Sequence, residues 1–199
     1  MSPDIVTDPS RAKRLKAATH AAHDRLDKSI MRLEPFSSID RYALFLAVQH
    51  GFHQDVDALY DDPALDGLLP DLKHRRRLDK IAQDLADLGR TAPAAGSKPV
   101  LAGDLPTALG WLYVAEGSNL GAAFLLKEAG KLGLSEDCGA RHLAGSPEGR
   151  GLHWRIFTTA LDAVPLTQEE EARVIAGARA AFMRVQFLAD AVFIPSPSD

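Results

Sequence analysis

"DLPTALGWLYVAEGSNLGAAFLLKEAGKLG", residues 104–133, is a long helical pattern. Asp104 is a residue type that caps helices, and Pro106 falls in the first turn, where proline is tolerated. Apolar residues recur at spacings of three and four up to Gly133, and strict alternation is absent. The stretch therefore predicts a long helix that is interrupted by glycine.

The rest of the chain follows the same helical spacing and predicts no strand. Thr167 and Glu170 form a capping-box pair, and Gly89 is a helix stop. Arg90–Gly103 is rich in Pro, Ala and Gly and is predicted to be a loop. The other predicted helices are residues 7–30 (capped by Asp8, with Pro9 in the first turn), 37–60 (beginning at Ser37 or Ser38), 71–89, 150–163 and 167–193. The fold class is predicted to be an all-α, single-domain helical bundle.

Composition limits the classes of function. The chain has 199 residues, 46% of them hydrophobic, and a net charge of -4, which gives no support to a nucleic-acid or anionic-membrane surface. The single Cys138 excludes an intramolecular disulfide and a cysteine-rich metal site. No signal peptide or membrane span is recognised. We expect one domain over residues 1–199, with flexible tails at 1–9 and 194–199, in the cytoplasm.

The first candidate site is "RLKAATHAAHDRLD", residues 14–27, in which histidines stand among small side chains. His23 shares a helical face with Lys16 and Thr19, whereas His20 lies on the adjacent row. A neutral imidazole is a good ligand for haem iron, and the Lys16 ammonium could meet a propionate of the same porphyrin. A core or surface histidine with a solvated lysine is the alternative.

The second candidate is "EGSNLGAAF", residues 116–124, in which Gly117 and Gly121 stand four apart in mid-helix. Each glycine costs a helix interior about 0.5–1 kcal/mol relative to alanine. With Ala122 beside it, the pair exposes a strip of backbone that a flat molecule could approach. Close packing against another helix is an equally common explanation.

The third candidate is "QHGFHQD", residues 49–55, where Gln49 and His53 stand at i and i+4 beside His50. Polar groups that face a bundle interior need partners, so they line a wet pocket or a metal site. One alternative is a partly exposed helix edge. Another is a metal site made by the two His-x-x-His pairs, His20/His23 and His50/His53.

Three segments together resemble the biliverdin-producing haem oxygenases of bacteria: "LKAATHAAH" at 15–23, "LGWLYVAEGSNLGAAFLLKE" at 109–128 and "ARAAFMRVQFL" at 178–188. The resemblance extends over residues 11–193. It implies an all-α fold that holds haem between an N-terminal proximal helix and a glycine-kinked distal helix. It also implies the activity: oxidative cleavage of haem to biliverdin with release of iron and carbon monoxide, using O2 and external electrons.

The resemblance also assigns residues. His23 becomes the axial iron ligand, Lys16 a propionate partner and Thr19 a proximal contact. Gly117 and Gly121 become the distal backbone strip, and the further haem contacts are Tyr113, Phe182 and Arg184.

The sequence departs from the family at the distal proton relay. Many members carry an aspartate after the first distal glycine, where this chain has Ser118, preceded by Glu116 and Gly117. The pattern resembles a bacterial subgroup with serine there. His53 and Gln49 are then candidates to hold the catalytic waters, so the expected catalytic set is Gly117, Ser118, Gly121 and His53. An arginine expected near residues 154–158 is not clearly matched. Arg155 is the nearest, and Arg184 could substitute for it.

The expected cofactors are haem b, as both substrate and prosthetic group, with iron and O2. No flavin or nicotinamide pattern such as GxGxxG is found, so electrons are expected from a ferredoxin or reductase. A bilin-binding photoreceptor or another biliverdin acceptor is a further expected partner. Two alternatives stay open: a non-catalytic haem carrier or sensor, and a helical bundle that binds another small molecule.

Overall fold

The computed structural model describes residues 10–93 and 104–193, and within these ranges it is helical and contains no strand. The all-α class predicted from the sequence is confirmed. Short 3-10 turns occur at Asp57–Asp61, Leu72–Arg75 and Arg141–Leu143. The α-helices are α1 (Arg11–Arg32), α2 (Ile39–Val56), α3 (Pro63–Asp66), α4 (Leu78–Asp87), α5 (Leu105–Gly130), α6 (Arg150–Ala163) and α7 (Gln168–Phe193).

Most of the predicted helix caps are present. The Asp104 side chain accepts a hydrogen bond from the Thr107 backbone nitrogen, and Ser38 caps α2 in the same way. The Glu170 carboxylate accepts from the Thr167 backbone nitrogen at 2.7 Å, which completes the capping box. Helix α1, by contrast, is capped by the Ser10 side chain. The predicted cap Asp8 and Pro9 lie outside the described residues, as do most of the predicted 90–103 loop and both predicted tails.

Several predicted helix bounds are wrong. Helix α1 runs on to Arg32 instead of residue 30, and α2 ends at Val56, where a 3-10 turn replaces the last residues of the helix predicted over 37–60. Helix α5 ends at Gly130, and Gly133 (φ +80°) lies in the turn that follows. The predicted helix over residues 71–89 is split, because Arg76 has an extended ψ of 140° between the 3-10 turn and α4. Gly89, with φ +68°, ends this region as predicted.

Two glycines bring α5 and α7 into backbone contact. A Cβ on Gly110 would lie 2.2 Å from the Val174 carbonyl oxygen, and one on Gly177 would lie 2.4 Å from the Thr107 carbonyl oxygen. No side chain fits at either position, so only glycine allows this approach. These are the close-packing glycines of the bundle, and the sequence analysis did not single them out.

The main core joins α1, α2, α5, α6 and α7. Phe52 and Trp111 stack with ring centroids 5.9 Å apart, and Leu15 and Phe157 are fully buried in the same cluster. Helix α7 packs against α1 and α2 as well as α5. It therefore supports all three helices that carry the candidate residues. Among the described residues, no helix is both long and apolar enough to cross a membrane.

Candidate functional site

His23 is an exposed ligand-type side chain whose orientation is held by two neighbours. Its side chain is 57% exposed, and its Nδ1 lies 3.2 Å from a carboxylate oxygen of Asp27, one turn further along α1. The ring edge contacts Phe182 of α7, with centroids 5.7 Å apart. A histidine held at Nδ1 by a carboxylate presents Nε2 to a metal. The sequence analysis missed Asp27, although its i+4 spacing from His23 is a readable signal.

The other predicted residues of α1 differ in environment. Thr19 is buried, and its hydroxyl donates to the Leu15 carbonyl oxygen at 2.7 Å. His20 and Lys16 are exposed. Lys16 makes no ion pair with any residue that the structure describes, so its ammonium is available to an anionic group.

The predicted glycine strip of α5 is open at one end and covered at the other. Trp154 lies 3.4 Å from where a Cβ on Gly117 would be, and its ring is 5.4 Å from that of Tyr113. Gly121 has no other atom within 4 Å of its Cβ position. Leu120 and Phe124 are 46% and 54% exposed beside it. The open, apolar part of α5 is therefore centred on Gly121.

Arg184 lies away from the His23 contact of α7. Its guanidinium nitrogen Nε is 2.6 Å from an Asp55 carboxylate oxygen on α2, and its guanidinium covers the exposed Phe187 ring at 5.4 Å. Residues two apart on a helix point about 200° apart, so Phe182 and Arg184 face different neighbours. The structure does not bring Arg184 together with Phe182 and His23. Arg155 is exposed on α6.

A small polar cavity of about 50 Å³ lies beside α5. It unites three residues that were predicted to hold waters: Gln49, His53 and Ser118. It also contains three polar residues that sequence reasoning missed, namely Arg77, Asn119 and His142. A water needs roughly 10–15 Å³ of such space, so the cavity has room for about three to five. We call it the distal cavity.

His53 and His142 line the distal cavity, and both have a lowered pKa. Burial, followed by the charge of Arg77, lowers the pKa of His53 to about 3. Burial also lowers the pKa of His142. The Asp84 carboxylate, 2.8 Å from His142 Nδ1, acts in the opposite direction and raises it. His53 Nδ1 and His142 Nε2 are buried without a hydrogen-bond partner. Ordered waters would satisfy both atoms.

Glu116, next to the glycine strip, is fully engaged elsewhere. Its carboxylate accepts a hydrogen bond from the Tyr60 hydroxyl at 2.8 Å and pairs with Arg75 at 3.2 Å. All three groups are buried. Burial raises the pKa of the Tyr60 hydroxyl, and the nearby Glu116 carboxylate raises it further. Glu116 therefore has a structural role, and its carboxylate is not available to the distal cavity.

The four-histidine metal hypothesis is not supported. His20 and His23 are exposed on α1, whereas His50 and His53 are buried in α2. Within residues 10–93 and 104–193, no group of three or more His, Cys, Asp or Glu side chains is arranged to hold a metal ion.

Comparison with known proteins gives consistent matches. The profile of the heme oxygenase family matches residues 10–189. The chain is 43% identical over 195 residues to heme oxygenase PigA of Pseudomonas aeruginosa, covering 97% of this chain and 98% of that protein. The NO- and CO-bound heme oxygenase of Neisseria meningitidis superposes with a TM-score of 0.89 at 46% identity, covering 95% of both chains. The heme oxygenase of Leptospira interrogans, at 18% identity and a TM-score of 0.73, shares the fold over 90% of this chain and 98% of its own.

Proposed function

The chain belongs to the haem oxygenase family, and from that premise we propose how its own residues hold haem and direct the reaction. As a haem oxygenase it cleaves haem to biliverdin with release of iron and carbon monoxide, using O2 and external electrons. Haem is therefore both its substrate and its prosthetic group. The catalytic activity distinguishes it from a haem carrier.

We propose that His23 is the axial iron ligand. The observation that carries this assignment is the exposed ring, held at Nδ1 by Asp27 and along its edge by Phe182. Neutral imidazole supplies a ligand that, unlike a thiolate, does not push electron density toward O–O cleavage. Asp27 fixes the tautomer and thereby keeps Nε2 free for the metal.

The open part of α5 fits the flat face of a porphyrin. Gly121 has no neighbour at its Cβ position, and Leu120 and Phe124 leave apolar surface exposed on either side of it. A macrocycle would cover these exposed side chains, and we infer that Gly117, whose Cβ position faces Trp154, lies at the edge of the same surface. We assign Tyr113, which packs on Trp154, to the same wall. Lys16 and Thr19 complete the proximal side, with the Lys16 ammonium available to a propionate.

The distal cavity supplies protons through water. Bound haem supplies the iron at which O2 is activated. His53, Gln49 and Ser118 would hold the waters that deliver protons, together with Arg77, Asn119 and His142. His53 is neutral at physiological pH because its pKa lies near 3, so it orders water through hydrogen bonds and does not act as a strong acid. The serine at position 118 supports membership of the subgroup that lacks the distal aspartate.

The proposal also covers the partners, the domain organisation and the cellular compartment of the enzyme. We infer that a separate ferredoxin or reductase supplies electrons, and that a biliverdin acceptor such as a bilin-binding photoreceptor is a candidate partner. The shared core of α1, α2, α5, α6 and α7 supports one haem oxygenase-like domain over residues 1–199. A single cysteine, exposed at Cys138, suits the reducing conditions of the cytoplasm.

A haem titration followed by reductant and air tests this function. We expect a Soret band that saturates at one haem per chain, then disappears on reduction in air while a bile-pigment absorption rises. A Soret band that persists through repeated additions of reductant would contradict the catalytic role.

A further inference from the structure

A second polar pocket, which we call the outer pocket, lies on the surface next to the distal cavity. Its volume is about 290 Å³. Its walls come from the 3-10 turn before α4, the first turn of α4, the loop at 144–148 and His153 of α6. Arg77 lines both spaces.

Most charges in the outer pocket are already paired. Arg75 is bound by Glu116 at 3.2 Å, and Glu148 is bound by His153 at 2.9 Å. Hydrogen bonds from Ser146 and then from His153 hold the pKa of Glu148 at about 2, so that carboxylate is occupied and ionised. The exposed His74 stands 3.9 Å from its only acidic neighbour in the pocket, Asp71.

Two cations in the wall lack an acidic partner. Arg77 is 9% exposed, donates through one terminal nitrogen to the His142 carbonyl oxygen, and keeps its Nε buried without any partner. The side chain of Lys80 is exposed and makes no hydrogen bond or ion pair within the part of the chain that the structure describes. Glu116 is the acid that most affects the pKa of Arg77, and its carboxylate is already paired with Arg75.

The same wall contains the start of α4. Arg77 is the N-cap residue, and no side chain caps the helix there. The backbone N–H groups of the first turn, which includes Lys80, therefore have no partner within the helix. A helix N-terminus of this kind attracts anions through its free N–H groups and its dipole.

We propose that the outer pocket binds a small dianion of the phosphate class, either free phosphate or a phosphate monoester. Two unpaired cations and an uncapped helix start surround one space, which suits the charge and the acceptor oxygens of such an ion. Arg77 would then contact the anion on one side and the distal cavity on the other. Gly121 does not line the outer pocket, so we expect the anion to bind with or without haem.

A phosphorus NMR titration of the full, haem-free chain with inorganic phosphate in a zwitterionic buffer tests the proposal. We expect saturable binding of one phosphate per chain. Lys80→Gln should weaken the affinity about tenfold, the size expected for one charge-assisted hydrogen bond. Lys127→Gln makes the same change in net charge on exposed α5 surface outside the pocket, and its affinity should equal that of the parent.

A second measurement identifies the arginine. The Nε–H resonance of Arg77, assigned by its loss in Arg77→Lys, should shift as phosphate is added to the parent protein. Methyl phosphate distinguishes the two sources, because a pocket built for a monoester binds it as tightly as inorganic phosphate. Non-saturable binding, equal weakening by both lysine substitutions, or an Arg77 resonance that does not move would overturn the proposal.

Discussion

At the residue scale, His23 and His53 lie in different environments that suit different roles. His23 is exposed and oriented by Asp27, which suits a metal ligand. His53 is buried with an unpartnered Nδ1, which suits the binding of water. The sequence predicted both histidines. It could not predict His142, Arg77 or Asn119 beside His53, because they come from segments with no local pattern that links them.

Replacing His53 with alanine tests its role in ordering water. We expect His53→Ala to bind haem about as tightly as the parent and to convert it ten- to hundredfold more slowly, less than the full effect of a direct general acid. Single-turnover absorption spectra with reductant and O2 measure the rate. His50→Ala is the matched control, since His50 is also buried in α2 with an unpartnered Nδ1 but does not line the distal cavity. Equal rates in the two variants would show that His53 has no special role.

The buried histidines also predict how stability depends on pH. The pKa of His53 falls from 6.5 to about 3 on folding, so the unfolded chain binds a proton between those values that the folded chain does not. Stability from His53 is therefore fully present above about pH 6.5 and declines as the pH falls toward 3, with a slope of up to about 1.4 kcal/mol per pH unit. The lowered pKa values of His50 and His142 act in the same direction.

Urea unfolding at pH 7.5, 6 and 5 measures this dependence. His53→Gln, which cannot titrate, should lose less stability between pH 7.5 and 5 than the parent does. An unchanged pH dependence in that variant would contradict the assignment of a buried neutral His53.

At the element scale, glycine has two separate roles in α5, and one comparison distinguishes them. Gly110→Ala would place a Cβ 2.2 Å from a backbone oxygen of α7, so we expect a loss of at least about 1–3 kcal/mol in the free energy of unfolding. Gly121→Ala meets no neighbour, and the higher helix propensity of alanine should leave stability equal or increased by up to about 1 kcal/mol. Thermal and urea unfolding of the haem-free chain measures both.

The same helix gives a binding prediction. Gly121→Leu should fold as the parent does but bind haem more weakly, because its side chain fills the open face. Haem affinity equal to that of the parent would place the porphyrin elsewhere.

The sequence predicted the helices better than their ends. Caps formed by Ser38, Asp104 and Thr167 depend on hydrogen bonds between residues close in sequence, so they could be predicted from a short stretch of sequence. The break at Arg76 could not, because no proline or glycine marks it. The packing role of Gly110 and Gly177 could not be predicted either, because it depends on where α5 crosses α7.

At the scale of the whole molecule, α7 supports both sides of the proposed haem site. It contacts His23 of α1 through Phe182 and meets α5 at Gly110 and Gly177. The ligand helix and the open glycine face are thus held by one scaffold. The family pattern predicted which helices would form the haem site. It could not predict that Trp154 covers Gly117 but not Gly121, or that Arg184 pairs with Asp55, because both depend on how the helices pack.

The absorption spectrum of the haem complex tests the central claim, that His23 is the iron ligand, most directly. Spectra of the parent, His23→Ala and His20→Ala are compared before and after reductant is added in air. We predict that His23→Ala loses the histidine-ligated spectrum and nearly all turnover, and that added imidazole restores the spectrum, while His20→Ala keeps both. A normal spectrum in His23→Ala together with its loss in His20→Ala would contradict the claim.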